Sequence, residues 1–112
     1  MAVYEELTVD QGATFRYQVV LRETSDESEF DLTGYTAAAH MKRSHRAASI
    51  TETFTCVVDS PRGVITISLT DEQTAAIKPG RYVFDIVLSS PTGTVDRVTE
   101  GIVDITPAVT IL

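Results

Sequence analysis

Phe15, Tyr17, Val19 and Leu21 stand at every second position, with Arg16, Gln18 and Arg22 on the other parity. That is the pattern of a strand with one face buried and one face in water. The same period runs through Ile65, Ile67 and Leu69, and again through Tyr82, Phe84, Ile86 and Leu88. Strands are therefore predicted from residue 13 onward, over 64–69 and from 82 onward. Another follows over 94–106, where Gly101 interrupts the alternation and predicts a bulge or local twist. Leu7 and Val9 predict a short opening strand, cut from the next by Asp10-Gln11-Gly12. Residues 50–58 are rich in β-branched and aromatic side chains and predict a further strand. The run AAAHMK has helical propensity in isolation, but its short length and the Gly34-Tyr35-Thr36 lead-in favour a strand over 36–43. Ala37, Ala38 and Ala39 would leave room there for large side chains from a facing sheet.

The punctuation agrees with this count. Asp59-Ser60-Pro61-Arg62-Gly63 is a strong turn signal and predicts an antiparallel hairpin between 50–58 and 64–69. Ser90-Pro91-Thr92-Gly93 turns the strand from Tyr82 back into the last one. Gly34, inside an extended segment, predicts a bend. Thr70 followed by Gln73 predicts a capping box, with Asp71 and Glu72 at the positive end of a short helical piece over 70–77 that Pro79 and Gly80 stop. Two turns cannot stand alone, so Ala76 and Ile77 are expected to plug one end of the fold. Residues 24–29, TSDESE, form an acidic loop whose flanking strands are expected to be neighbours. Together these signals predict a single all-β domain over 1–112. It would be an immunoglobulin-like antiparallel β-sandwich of about seven strands with one short helical turn near 70–77. The Cys and Trp hallmarks of antibody domains are missing.

Composition narrows the function classes. The chain has 112 residues, 43% hydrophobic and 22% charged, which is ordinary for a globular domain. Nine basic against 16 acidic residues give a net charge of −7, the wrong sign for displacing phosphate counterions, so no nucleic-acid partner is expected. No apolar run approaches the ~20 residues that span a bilayer, and acids occupy the opening segment where a secretory signal carries basic residues. No membrane partner is expected, and synthesis in a cytoplasm is.

Candidate chemistry is sparse. Cys56 is the single cysteine, which excludes an internal disulfide and a thiolate zinc site, and its apolar setting predicts an inert thiol. His40 and His45 lack carboxylates at metal-ligand spacing. Asp10, Asp26, Glu27, Glu29 and Asp31 match no calcium loop and predict a solvated acidic face. There is no Gly-x-Ser-x-Gly elbow and no phosphate-cradling glycine cluster. No catalytic residue, metal, cofactor or small-molecule substrate is expected. Lys42, Arg43, His45 and Arg46 concentrate basic groups in one stretch of an acidic protein, either as a solvated loop or as a contact for an acidic partner, including residues 24–29 of a neighbouring copy.

Four segments carry a resemblance: LTVDQGATFRYQVVL over 7–21, FDLTGYTAAAHMK over 30–42, PRGVITISLTDEQTAAIKPGRYVFDIVL over 61–88, and GTVDRVTEGIVDITPAVT over 93–110. They resemble the small immunoglobulin-like virion structural proteins of tailed bacteriophages, and are similar to the N-terminal domain of phage baseplate upper proteins. The resemblance implies a non-enzymatic virion structural protein, made in the host bacterial cytoplasm. It would be a multi-copy assembly module of the tail, baseplate or attached fibre apparatus, its partners other virion proteins in a symmetric array. Two alternatives stay open: a capsid decoration protein on the outside of the head, and a carbohydrate-binding or adhesion module using Tyr4, Tyr17, Tyr35 and Tyr82. The second is weakened because Tyr17 and Tyr82 fall on core faces. Free sheet edges can pair with a partner's strand, and residues 1–9 and 103–112 are the expected edges. Candidate partner contacts are Val3, Tyr4 and Leu7, then Lys42, Arg43 and Arg46, and finally Val109, Ile111 and Leu112 in the apolar segment beyond Pro107.

Overall fold

The computed structural model describes residues 3–21, 32–59 and 62–110. Seven strands and one helix follow in the order β1 (Val3–Asp10), β2 (Phe15–Val20), β3 (Thr36–Lys42), β4 (Glu52–Asp59), β5 (Val64–Leu69), α1 (Asp71–Ala76), β6 (Gly80–Ser89) and β7 (Val95–Thr106). Hydrogen bonds link the strands in the order β1-β7-β6-β3-β4-β5-β2. This series is bent into two layers because β4 divides its pairing. Its start, through Phe54, lies against β3, and Thr55 to Asp59 lie against β5. The expected β-sandwich of about seven strands is thus what the chain forms. All pairs are antiparallel except β1 with β7, which run parallel.

The alternating positions fill the space between the layers. Val9, Met41, Ile65, Ile67, Ile86 and Val103 are fully buried. Phe54 sits between Phe15 of β2 and Phe84 of β6, with ring centroids 6.1 and 6.3 Å apart. These tilted and edge-on contacts suit aromatic quadrupoles and join strands that share no hydrogen bonds. On β3 the pleat sends Ala39 and Met41 inward and leaves Ala38 exposed, so only part of the alanine run makes room for the opposite layer.

The helix is capped as the sequence predicts. Gln73 N–H donates to the Thr70 hydroxyl at 3.1 Å, and Thr70 N–H donates to the Gln73 side chain at 2.8 Å. What plugs the sandwich is Ile77 together with Thr74, not Ala76, which faces water. The buried Thr74 hydroxyl accepts from Gly12 N–H at 3.0 Å and lies 2.9 Å from the Ala13 carbonyl, which it can donate to. A six-residue helix is thereby fastened to the β1–β2 turn through a buried hydroxyl that would otherwise be unpaired.

Three further expectations need correction. The strands flanking the acidic loop are not neighbours: β2 pairs with β5, while β3 pairs with β4 and β6, so the chain changes layers between them. The bulge lies at Val98, where the register steps from Ile86↔Thr99 to Val87↔Arg97, and not at Gly101. Gly101 has a different task. It lies opposite Glu5, and a Cβ there would fall on the Glu5 carbonyl, so only glycine lets β1 lie this close to β7. Residues 103–105 are not an edge, because β7 is flanked there by β6 and β1. Gly34 does form the predicted bend, with φ of 81° and the Tyr35 N–H donating to the Leu32 carbonyl at 2.9 Å.

Two substitutions test this account. Gly101→Ala should force β1 off its partner and cost about 2 kcal/mol or more, read as a lowered urea midpoint. Thr74→Val should cost about 1–3 kcal/mol by leaving Gly12 N–H and the Ala13 carbonyl unpaired, while Thr74→Ser retains most of the stability. Equal midpoints for the valine and serine variants would show that the hydrogen bonds do not fasten the helix.

Candidate functional site

Among the described residues, β1 pairs with β7 alone and β2 with β5 alone, so each has a free side. The Leu21 N–H donates to the Gly63 carbonyl at 2.8 Å, and bonded pairs alternate along an antiparallel ladder. The backbone groups of Arg16, Gln18 and Val20 therefore point away from β5. On β1, the Gln11 N–H donates to the Thr106 carbonyl at 3.0 Å, which assigns the odd-numbered residues to β7. Tyr4, Glu6 and Thr8 turn their N–H and C=O groups outward.

These two edges belong to opposite layers and lie beside one another, because the bend at β4 brings the ends of the strand series together. Between them runs a groove of about 190 Å³ whose lining includes Val3, Glu5, Tyr17, Val19, Leu21 and Val98. Gln18 and Thr99 add to the polar part of its lining, which is about as polar as it is apolar. Val3 and Val20 are 59% and 48% exposed at its rim. The Glu5 carboxylate faces the Tyr17 phenol across the gap. Burial is the largest influence on this phenol, followed by the charge and hydrogen bond of Glu5, and all raise its pKa above the ordinary 10.0.

The other expected contacts are distributed differently. Val3 and Tyr4 are exposed on β1, but Leu7 is not available to a partner: its side chain points between the layers on the same parity as Val9 and is only 6% exposed. Lys42 is half-buried and Arg46 exposed, and no described residue forms an ion pair with either. Arg43 is engaged within the fold. Its guanidinium lies 5.1 Å from the Tyr82 ring centroid, and a Cβ on Gly80 would come within 2.8 Å of its Nη1. Val109 is fully exposed, whereas Ile111 and Leu112, like the acidic loop over 24–29, fall outside the described residues.

The outer face of β6 and β7 carries ion pairs from Arg81 to Asp104 at 3.0 Å and from Arg97 to Asp85 at 3.3 Å. All four side chains are well exposed, so each pair is worth at most about 1 kcal/mol. His40 faces Asp85 across the ladder, yet no group of three or more ligating side chains forms among the described residues. Burial pushes the Cys56 thiol up, away from the reactive thiolate. Tyr82 is buried, with its hydroxyl donating to the Lys78 carbonyl at 2.6 Å, and Tyr17 and Tyr35 pack against the core. Tyr4, 56% exposed, is the tyrosine most open to a stacking sugar.

Sequence reasoning named the opening segment but missed β2. Tyr17, Val19 and Leu21 announce a buried face, and nothing in one strand's pattern tells which of its sides will lack a neighbour.

What the fold defines is a two-layer β domain whose most distinctive surface is a pair of adjoining open edges. The model of the LtfC-like β-sandwich domain family matches residues 2–106, and the chain belongs to that family. The family is associated with phage tail fibres, which makes this a phage β-sandwich domain. No curated protein matches the chain.

Tyr17 supplies a pH test. The fold favours its neutral form, so this contribution to stability is complete below the unfolded pKa and is lost as pH rises through the raised folded value. Tyr17→Phe should flatten the decline in melting temperature as pH rises above about 10. Parallel curves for the two proteins would remove Tyr17 from the seam's energetics.

Proposed function

We propose that this chain is a non-enzymatic structural module of a phage tail-fibre apparatus, present in the virion in several copies and joined to other virion proteins through its strand edges. The observation that carries the reading is the coincidence of family membership with two adjoining free edges over a groove of mixed lining. An unpaired edge offers a partner a row of oriented hydrogen-bonding groups, and the groove offers side-chain specificity. The −7 charge keeps free copies apart in solution, so assembly relies on local complementarity rather than on general attraction.

Among its partners we place other virion proteins of the tail or its attached fibres ahead of the head surface. The adhesion reading has little beyond Tyr4 to support it, because the other three rings are buried or packed against the core.

Fractionating purified particles into heads and tails, followed by mass spectrometry, tests this reading. The chain should appear with the tail and fibre fraction at several copies per particle. Recovery with heads alone would favour the decoration reading, and absence from particles would remove the structural one.

A further inference from the structure

Arg43 and Lys78 come together beside the end of the helix, where they line a cleft of about 410 Å³. Tyr82 holds the head of one and the backbone of the other. Its ring lies beneath the Arg43 guanidinium, 5.1 Å from the central carbon, and its hydroxyl donates to the Lys78 carbonyl at 2.6 Å. Tyr82 is itself buried on the inner side of β6, so the core sets the position of this platform. Gly80 completes the seat. A Cβ there would come within 2.8 Å of the Arg43 Nη1, and its φ of 147° is one that other residues rarely adopt.

The charge of this seated guanidinium is not neutralised. Among the described residues neither Arg43 nor Lys78 forms an ion pair. Glu52 is the carboxylate in the lining, and its Oε1 already accepts from the Gln73 side chain and from the Thr53 N–H, each at 3.0 Å. Two cations against that one carboxylate leave the cleft at +1 in a chain of −7. A guanidinium lying over a ring keeps its in-plane N–H groups for another partner. One already held in place can form paired bonds to a carboxylate without first being ordered.

We propose that this cleft binds a single carboxylate, the Asp or Glu side chain of a neighbouring polypeptide, with Arg43 giving it paired hydrogen bonds and Lys78 standing beside it as a second cation. The charge selects the ligand. A carboxylate carries one negative charge and brings the cleft to neutrality, whereas a phosphate monoester carries about −1.5 to −2 and would meet Glu52 with charge to spare. Longer polyanions face the repulsion of the whole chain at −7. Thr51, in the same lining, adds a hydroxyl donor, and Ala76 offers contact to the methylene groups of the incoming side chain. That the carboxylate comes from a polypeptide rests on the assembly role proposed above. That the cleft takes a carboxylate does not.

The test follows the Arg43 Nε–H and Lys78 backbone signals of the full chain by nuclear magnetic resonance at low ionic strength, during titration with capped peptides. Gly-Glu-Gly, blocked at both ends, should move these signals saturably, while Gly-Gln-Gly leaves them in place. Arg43→Gln, followed at Lys78, should weaken binding at least about tenfold, the loss expected when charge-assisted hydrogen bonds are removed. Arg43→Lys keeps the charge without the fork and should recover only part of that loss. Gly80→Ala should weaken binding by moving the guanidinium off its seat, and the two Arg43 variants decide the matter should the alanine variant fail to fold. Inorganic phosphate should bind more weakly than the glutamate peptide.

Equal responses to the glutamate and glutamine peptides overturn the inference, as does undiminished binding by Arg43→Gln. Full recovery in Arg43→Lys overturns the paired geometry, and phosphate that binds as tightly as the glutamate peptide overturns the choice of a carboxylate. Recovery of the chain with phage tails would stand whatever these titrations show, so the two readings fail separately.

Discussion

Strand β4 gives its first hydrogen bonds to β3 and its last to β5, and this divided pairing holds both layers in one continuous ladder. The position of Phe54 follows from it. As the β4 residue at the point of transfer, it meets Phe15 from one layer and Phe84 from the other. The buried aliphatic residues pack around that contact, and the helix closes one end through Thr74 and Ile77. A flat seven-stranded sheet would have left its two outermost strands far apart. Bending at β4 sets β1 and β2 beside one another, with a gap between them.

That gap is where the chemistry of this surface differs from the rest. The outer face of β6 and β7 neutralises its own charges, Arg43 is held against Tyr82, and Cys56 is kept protonated by burial. At the seam, by contrast, Val3, Val19, Leu21 and Val98 lie beside Glu5, Gln18 and Thr99 between unpaired backbone edges, and the Glu5 charge faces Tyr17 across it. Such a surface is suited to receiving another polypeptide.

The strands around Tyr17, Ile67 and Phe84 were legible because alternation and burial share one period, and the helix because Thr70 and Gln73 satisfy the same two backbone groups in the sequence and in the fold. Gly101 shows where such reading stops. A glycine that breaks an alternation can mark a bulge or a close approach, and only the partner strand decides which. Val98, the actual extra residue, is a β-branched side chain with nothing unusual about it. Leu7 was placed on a partner surface although its parity matches Val9, because the strand was expected to be shorter than it is. The layer change between β2 and β3 had no local signal at all, since neighbours in sequence need not be neighbours in a sandwich.

The parallel pairing of β1 with β7 also bears on how the domain carries load. The first described residue of β1 and the last residue of β7 lie at opposite ends of one eight-residue ladder. A force that drew Val3 and Thr106 apart would slide the two strands lengthwise, straining the intervening hydrogen bonds together instead of peeling them open one by one. Gly101, by allowing the strands to lie close along that ladder, contributes to tensile strength as well as to folding.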